Sequence, residues 1–358
     1  MITFLNKNGA NDMRELFDIT IIGAGPAGLY STFYSGLRGM KTKLIDAQDV
    51  LGGKLNVYME KMVWDVGGQP PLPAAKLIEQ LVTQAKTFDP TISLGTKVTH
   101  LERLEDESFV VHTDTGEKHY SKTVVLALGS GILKPQKLAI EGADRFEVAN
   151  LHYVVKSLGQ FKDRHVVISG GGNAAIDWAN ELAPLAASVT VVYRKEAFTG
   201  AHEAQIDQLM RSGANCLFNT TICKLVADQE GHAIECVEVK DEVTGEISTL
   251  PVDEVIINHG YEIDAELLKN STFDFELDEY SRVIGSDSSE TSVPGIFAAG
   301  DILIHSSKVN LIAGCFHDAA NAVNRAKLYI EPTAEKVAMV SSHNDVFKER
   351  NKALQYSS

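Results

Sequence analysis

Residues 17–46 read FDITIIGAGPAGLYSTFYSGLRGMKTKLID, and the spacing within them decides the fold. Phe17–Ile22 is short, apolar and rich in β-branched side chains, and it stops at Gly23, which predicts a buried parallel strand. After Pro26 the apolar residues Leu29, Phe33 and Leu37 stand four apart, the interval of a helix face, and Gly39 is a suitable helix stop. Lys43–Ile45 then predicts a second strand that ends at Asp46. Strand, helix and strand within about thirty residues make a βαβ unit.

Its turn, Gly23-Ala24-Gly25-Pro26-Ala27-Gly28, has the spacing G-x-G-x-x-G. Gly23 permits the tight bend, Gly25 lets the backbone approach a pyrophosphate, and Gly28 allows close packing of helix on strand. Free amides and the positive end of the helix dipole then face the phosphates. Asp46, eighteen residues beyond Gly28, is placed to accept hydrogen bonds from a ribose. A glycine turn alone is a weak signal. Set between a strand and a helix and followed by an acid at the right distance, it predicts dinucleotide binding.

The pattern returns 147 residues later, counted from Gly23 to Gly170. His165–Ser169 predicts a strand, Gly170-Gly171-Gly172-Asn173-Ala174-Ala175 is the G-x-G-x-x-A variant, Ala174–Leu182 predicts a helix, and Val189–Tyr193 another strand. Here the second strand ends in Arg194 and Lys195 instead of an acid. A guanidinium and an ammonium attract a ribose 2′-phosphate that a carboxylate would repel, which favours NADPH over NADH, although Glu196 weakens the patch. A third element is the short strand Ile296–Ala299 running into Gly300-Asp301. Asp301 there can accept hydrogen bonds from the ribitol of a flavin, and a helix expected to begin near Val309 and run to Tyr329 would aim its N-terminus at the flavin N1–O2 edge. Phe109–Thr113, Thr123–Leu128 (followed by Gly129-Ser130-Gly131) and Glu254–Asn258 are further expected strands. Alternation of strands and helices argues an α/β fold.

Composition narrows the function. At about 150 residues per domain, 358 residues predict two domains. A formal charge of −15 repels phosphate backbones and acidic membranes, so neither nucleic acid nor a membrane is an expected partner. The longest uncharged run, Ile19–Leu37, is broken by four glycines and a proline and is no membrane helix. The first residues lack the basic and apolar regions of a signal peptide, and a cytoplasmic location is expected. Cys216, Cys223, Cys236 and Cys315 form no C-x-x-C, and the eleven histidines show no metal-ligand spacing, so no metal is expected. Motifs of serine hydrolases, zinc proteases and P-loop enzymes are missing.

The order GAGPAG, LGGKLNVY, GGGNAA, YRK, HGY and TSVPGIFAAGD resembles the two-dinucleotide-binding-domain flavoprotein reductases, over about residues 17–347. Within them, Leu51–Leu55, Tyr58, Trp64–Val66, Lys308–Ala313 and the C-terminal tail resemble the thioredoxin-reductase-like ferredoxin/flavodoxin–NADP+ reductases. The resemblance implies two Rossmann-like doubly wound domains, the NADP domain inserted in the FAD domain: 1–133 with 262–358 for FAD, and 134–261 for NAD(P)H. It implies that Gly23, Gly25, Pro26, Ala27, Gly28 and Asp46 hold the ADP half of FAD. Gly53, Lys54, Leu55 and Asp65 would surround the flavin, with Asp301 on its ribitol and Tyr58 stacked on one face. Gly170, Gly172, Asn173, Arg194 and Lys195 would take NADPH. The tail of a dimer partner would lay His343 over the second flavin face.

Three departures from related patterns matter. Thioredoxin reductases carry a C-x-x-C dithiol in their nucleotide domain, whereas this chain reads Asn173-Ala174-Ala175-Ile176 after its second glycines and has no such dithiol anywhere. No cysteine sits in the first glycine turn either, so disulfide reduction by those routes is chemically closed. Lys54 replaces the usual glutamine. Phe198–Glu203 lacks one phosphate-binding arginine, which implies a milder preference for NADPH. The implied activity is hydride transfer from NADPH through flavin N5 to a one-electron carrier, ferredoxin or flavodoxin, with no acid–base residue required. Reduction of a small acceptor (quinone, ferric chelate or oxygen) and a non-catalytic nucleotide-sensing role are the alternatives.

Overall fold

The strand Leu16–Ile22 lies inside a sheet because its apolar residues point to both sides and each face is covered: five of its seven residues are buried. A computed structural model describes residues 2–5, 11–129, 131, 134–262 and 266–355; Ser130, residue 133 at the expected domain end and the last three residues of the tail lie outside the described residues. The chain divides into two units, Met1–Ile132 with Ile263–Ser358, and Leu133–Glu262.

In the first unit the strand order is Thr91–Ser93, Thr42–Ile45, Leu16–Ile22, Lys118–Leu126, Phe109–Thr113 and Val98–Arg103, with Ile296–Ala298 also paired to Lys118–Leu126. Lys118–Leu126 begins earlier than the expected strand at Thr123 and does two things. Its polar first half pairs antiparallel with Phe109–Thr113, where the sheet can face water, and its apolar second half pairs parallel with Ile296–Ala298. Along its other edge it runs parallel to Leu16–Ile22, which in turn runs parallel to Thr42–Ile45. Gly23, Asp46, Ala127 and Ala299 therefore follow the carboxyl ends of four parallel strands on one edge of the sheet, where open α/β sheets bind ligands.

Ile19 and Ile21 pack on one face with Leu29 of the helix Pro26–Leu37 and with Ala319, Ala322 and Val323 of the helix Ile312–Ile330. Ile22 packs on the other face with Phe109, Leu126 and Ile296. Burying each large apolar side chain stabilises the fold by about 1.5–3 kcal/mol. The helix Ile312–Ile330 starts at Ile312 instead of near Val309. A Cβ on Gly314 would lie 2.1 Å from the Val309 carbonyl oxygen, and the Leu311 N–H returns to that same oxygen, so residues 309–311 form a turn.

The second unit carries a parallel sheet in the order Leu151–His152, Glu254–Ile257, His165–Ser169, Ser188–Val192 and Asn215–Leu217. Its helix Asn173–Leu182 follows the second glycine turn. A three-stranded antiparallel sheet, Thr220–Ala227, Ile234–Asp241 and Ile247–Pro251, packs Val237 and Val239 into the same core as Val167 and Val255. Among the described residues no helix is long and apolar enough to cross a membrane.

Candidate functional site

The first glycine turn is built as its spacing demands. Gly23 has φ +106°, and a Cβ there would lie 2.3 Å from the Ala127 carbonyl oxygen. A Cβ on Gly28 would lie 1.7 Å from the Gly23 carbonyl oxygen. Gly25 differs from both in having room on its outer side, where the nearest atom to an added Cβ is the Gly53 Cα at 3.8 Å. Pro26 opens the helix at its first position, where its missing N–H is no loss, and Ala27 is buried behind it.

Asp46 turns back onto this loop. Its carboxylate is buried and accepts the Ala24 N–H at 2.5 Å on one oxygen and the Gln48 N–H at 2.7 Å on the other. Burial pushes its pKa up, and the two N–H donors pull it back down. Each oxygen keeps acceptor capacity for a ribose hydroxyl. The segment Leu51–Leu55 is fastened to the same loop: the Gly52 N–H donates to the Ala24 carbonyl, and a Cβ on Gly53 would meet the Gly25 Cα at 2.7 Å. Lys54 and Leu55 lie in the short 3-10 helix Gly53–Val57 that continues from it, Lys54 exposed and Leu55 packed on the core. Tyr58 caps that turn, half-buried, with the Lys61 ammonium 5.9 Å from its ring centre. Asp65 is exposed in the loop between Met62–Val63 and Leu72–Pro73.

Gly300 has φ +80° and presses on the first helix, since a Cβ there would lie 2.9 Å from the Ala27 Cβ. Asp301 follows it, exposed, in the turn Gly300–Ile302. Three sequence elements far apart in the chain thus meet at one sheet edge: the glycine turn with Asp46, the Gly52-Gly53 segment and the Gly300-Asp301 turn. An open Gly25, a left-handed Gly23 and a buried carboxylate with spare acceptors fit an adenine dinucleotide. Beneath this edge Cys315 is buried, its thiol donating to the Ile312 carbonyl. Its pKa is pushed up to about 12, first by burial and then by the charge of Asp301, so it stays a thiol and is no redox centre.

In the second unit Gly170 has φ +147°, and a Cβ there would lie 2.4 Å from the Asn258 carbonyl oxygen. Gly171 faces the Tyr193 ring at the same close range, a packing need that the glycine spacing does not reveal. Gly172 is open on all sides to an added Cβ, which leaves room for a pyrophosphate. The Asn173 amide oxygen accepts the His202 N–H, and Gly172 pairs with Gly200, so the loop after Phe198 is tied to the glycine turn. Arg194 and Lys195 are exposed after the strand Ser188–Val192. His259, absent from the expected site, shares a hydrogen bond between its Nε2 and the Ser169 hydroxyl at 2.8 Å. The chain around its ring, and next the Arg194 charge, lower its pKa. Its one signal in the sequence is its position, beside the glycine that follows the strand Glu254–Ile257.

The tail continues past Ile330 as two short helical turns and the helix Lys348–Gln355. Phe347 packs on Phe88 at 5.7 Å, and the Ala338 N–H donates to the Tyr34 hydroxyl at 3.3 Å. His343 is exposed in the turn Ser341–His343.

A model of the pyridine nucleotide-disulphide oxidoreductase family matches residues 17–326. The chain is 62% identical to ferredoxin–NADP reductase 2 of Exiguobacterium sibiricum over 343 residues, covering 96% of this chain and 97% of that one. It is 61% identical to ferredoxin–NADP reductase 1 of Bacillus cytotoxicus over 341 residues, covering 95% of this chain and 97% of that one. In fold it is similar to the thioredoxin reductase of Lactococcus lactis, with TM-score 0.71 at 23% identity over 88% of this chain and 99% of that one. The thioredoxin reductase of T. acidophilum is similar to the same degree, with TM-score 0.71 at 24% identity over 89% of this chain and 99% of that one. At those identities the two structures speak for fold alone. The cofactors are FAD and NADP(H), and the chain belongs to the pyridine nucleotide-disulphide oxidoreductase family.

Proposed function

We propose that this enzyme passes electrons between NADPH and a one-electron carrier protein, ferredoxin or flavodoxin. The observation that carries the reading is chemical: Cys216, Cys223, Cys236 and Cys315 are free and form no C-x-x-C, and the last of them, beneath the first site, is a buried thiol. Electrons leaving the first site therefore have no dithiol of this chain to pass through. The relatives' names point to ferredoxin as the acceptor.

FAD, when bound, supplies hydride acceptance at N5 and release of electrons one at a time. The chain's residues bind, orient and shield. Gly23, Gly25 and Gly28 admit the pyrophosphate with Pro26 and Ala27 behind it, Asp46 takes the ribose, and Asp301 takes the ribitol. Gly53, Lys54, Leu55 and Asp65 border the flavin, and Tyr58 stacks on it. Gly170, Gly172 and Asn173 receive NADPH, and Arg194 with Lys195 receive its 2′-phosphate. Residues 1–133 with 262–358 form the FAD domain and 134–261 the NADP domain, a division one residue from that of the packed units. The enzyme works in the cytoplasm as a homodimer whose tail lays His343 over the partner's flavin. The exposed apolar side chains Val337, Met339 and Val340 support a tail that is covered by another chain.

Steady-state turnover with NADPH tests the reading. Ferredoxin or flavodoxin should be reduced far faster than quinone, ferric chelate, oxygen or a protein disulfide. Equal or better rates with a small acceptor would move the assignment to that class.

A further inference from the structure

We propose that Lys308, Asp318 and His305 form a buried positioning unit that holds the Gly300-Asp301 turn in the shape that receives FAD. The proposal rests on the reading of that turn as part of the flavin site. All three side chains are nearly inaccessible, at 6%, 4% and 4% exposure. The Lys308 ammonium pairs with one Asp318 oxygen and also donates to the Gly300 carbonyl at 2.7 Å. The same Asp318 oxygen accepts the Gly300 N–H at 3.1 Å. Both polar groups of a single left-handed glycine are thus held by the two halves of one ion pair. Asp318's other oxygen faces His305 Nε2 at 3.3 Å, and His305 Nδ1 faces Asp287 at 2.9 Å. The Asp318 main chain is fixed in turn, since its carbonyl accepts the Ser289 hydroxyl at 2.9 Å.

A buried ion pair is a poor way to stabilise a fold, because desolvation consumes most of the Coulomb gain. Apolar side chains of similar size would fill the space equally well. They could not hold an N–H and a carbonyl of one residue at once. Asp318 stands in the second turn of the helix Ile312–Ile330, and Lys308 stands before that helix begins. The unit therefore couples the turn carrying Asp301 to the start of the helix that follows it. A site preorganised in this way loses less freedom when its ligand binds.

The test uses the FAD-loaded full chain and reads flavin release on dilution, followed as the rise of free-flavin fluorescence, beside thermal unfolding. The double substitution Lys308→Met with Asp318→Leu should still unfold in one cooperative thermal transition, yet speed flavin release about tenfold, as expected when one net hydrogen bond to a charged group is removed. The visible flavin spectrum should shift with it. Lys308→Arg, which keeps both the charge and a donor, should release flavin within about threefold of the unaltered chain. Should the double variant not fold, Lys308→Gln takes its place with the same readout. A folded variant that releases flavin at the unaltered rate overturns the positioning unit. An unaltered chain that takes up no FAD overturns the flavin site itself, a different and separable failure.

Discussion

The Asp46 carboxylate reaches back across 22 residues to accept the Ala24 N–H at 2.5 Å, so the acid at the end of one strand fastens the glycine turn at the end of its neighbour. The two features that signal a dinucleotide separately in the sequence are one hydrogen-bonded object in the fold. Asp46 sits where burial disfavours its charge, which is the arrangement expected of a residue kept for a ligand.

Its substitution separates binding from stability. Asp46→Asn should weaken FAD binding by about 10- to 100-fold, the worth of a charge-assisted hydrogen bond. Because burial raises the folded pKa, the protonated form is favoured on folding: its contribution is present below the ordinary value of 3.8 and is lost as pH rises through the raised pKa. The flavin-free variant at pH 7 should therefore lose no more than about 1 kcal/mol, for the N–H left without its acceptor. Titration of flavin-free protein with FAD and thermal unfolding check the two halves.

Arg194 is expected to act on NADPH and not on NADH. Arg194→Ala should raise KM for NADPH more than for NADH, since the guanidinium it removes would pair with the 2′-phosphate that NADPH alone carries. Equal effects on the two would make Arg194 a surface residue. The same substitution removes the second cause that lowers the His259 pKa, burial being the first. NMR titration of the flavin-loaded protein should find the His259 midpoint below 6.5 and higher in the variant than in the unaltered chain. A midpoint that does not move would separate Arg194 from the second glycine turn.

Much of this is legible in the sequence because glycine spacing and hydrophobic period carry it. Gly23, Gly28 and Gly170 each stand where a Cβ would collide with backbone, so the motif records sterics directly. The sheet Thr220–Pro251 is not legible, because register shifts after Ile222 and Val226 break its alternation. The start of the helix Ile312–Ile330 is misplaced from sequence because Val309 and Ile312 stand at helical spacing, while the close approach of Gly314 to the Val309 carbonyl is invisible there. Lys308 lies inside a recognisable motif, but Asp318 acquires meaning only when the helix and the Gly300 turn meet.

The tail supplies a prediction that its own packing sharpens. Deleting residues 337–358 removes the Phe347 ring from Phe88, the Arg350 guanidinium 5.3 Å from the same ring, and the Ala338 bond to Tyr34, but spares the Glu335 carbonyl held by Arg38. None of these belongs to the buried core, so the truncated protein should fold and bind FAD. The visible spectrum and the hydride-transfer rate should both change, because the His343 ring, in the proposed place over the flavin, would have to move before nicotinamide could stack. Unchanged spectrum and stopped-flow rate would show that the tail covers nothing.

One anaerobic double-mixing stopped-flow experiment on the FAD-loaded protein decides the proposed electron path. NADPH is added first, and oxidised ferredoxin or flavodoxin follows once the flavin absorbance has settled. The flavin band should bleach rapidly with NADPH and then return as the carrier takes electrons one at a time. A flavin that NADPH fails to bleach, or a reduced flavin that neither carrier reoxidises although a small acceptor does, would contradict that path.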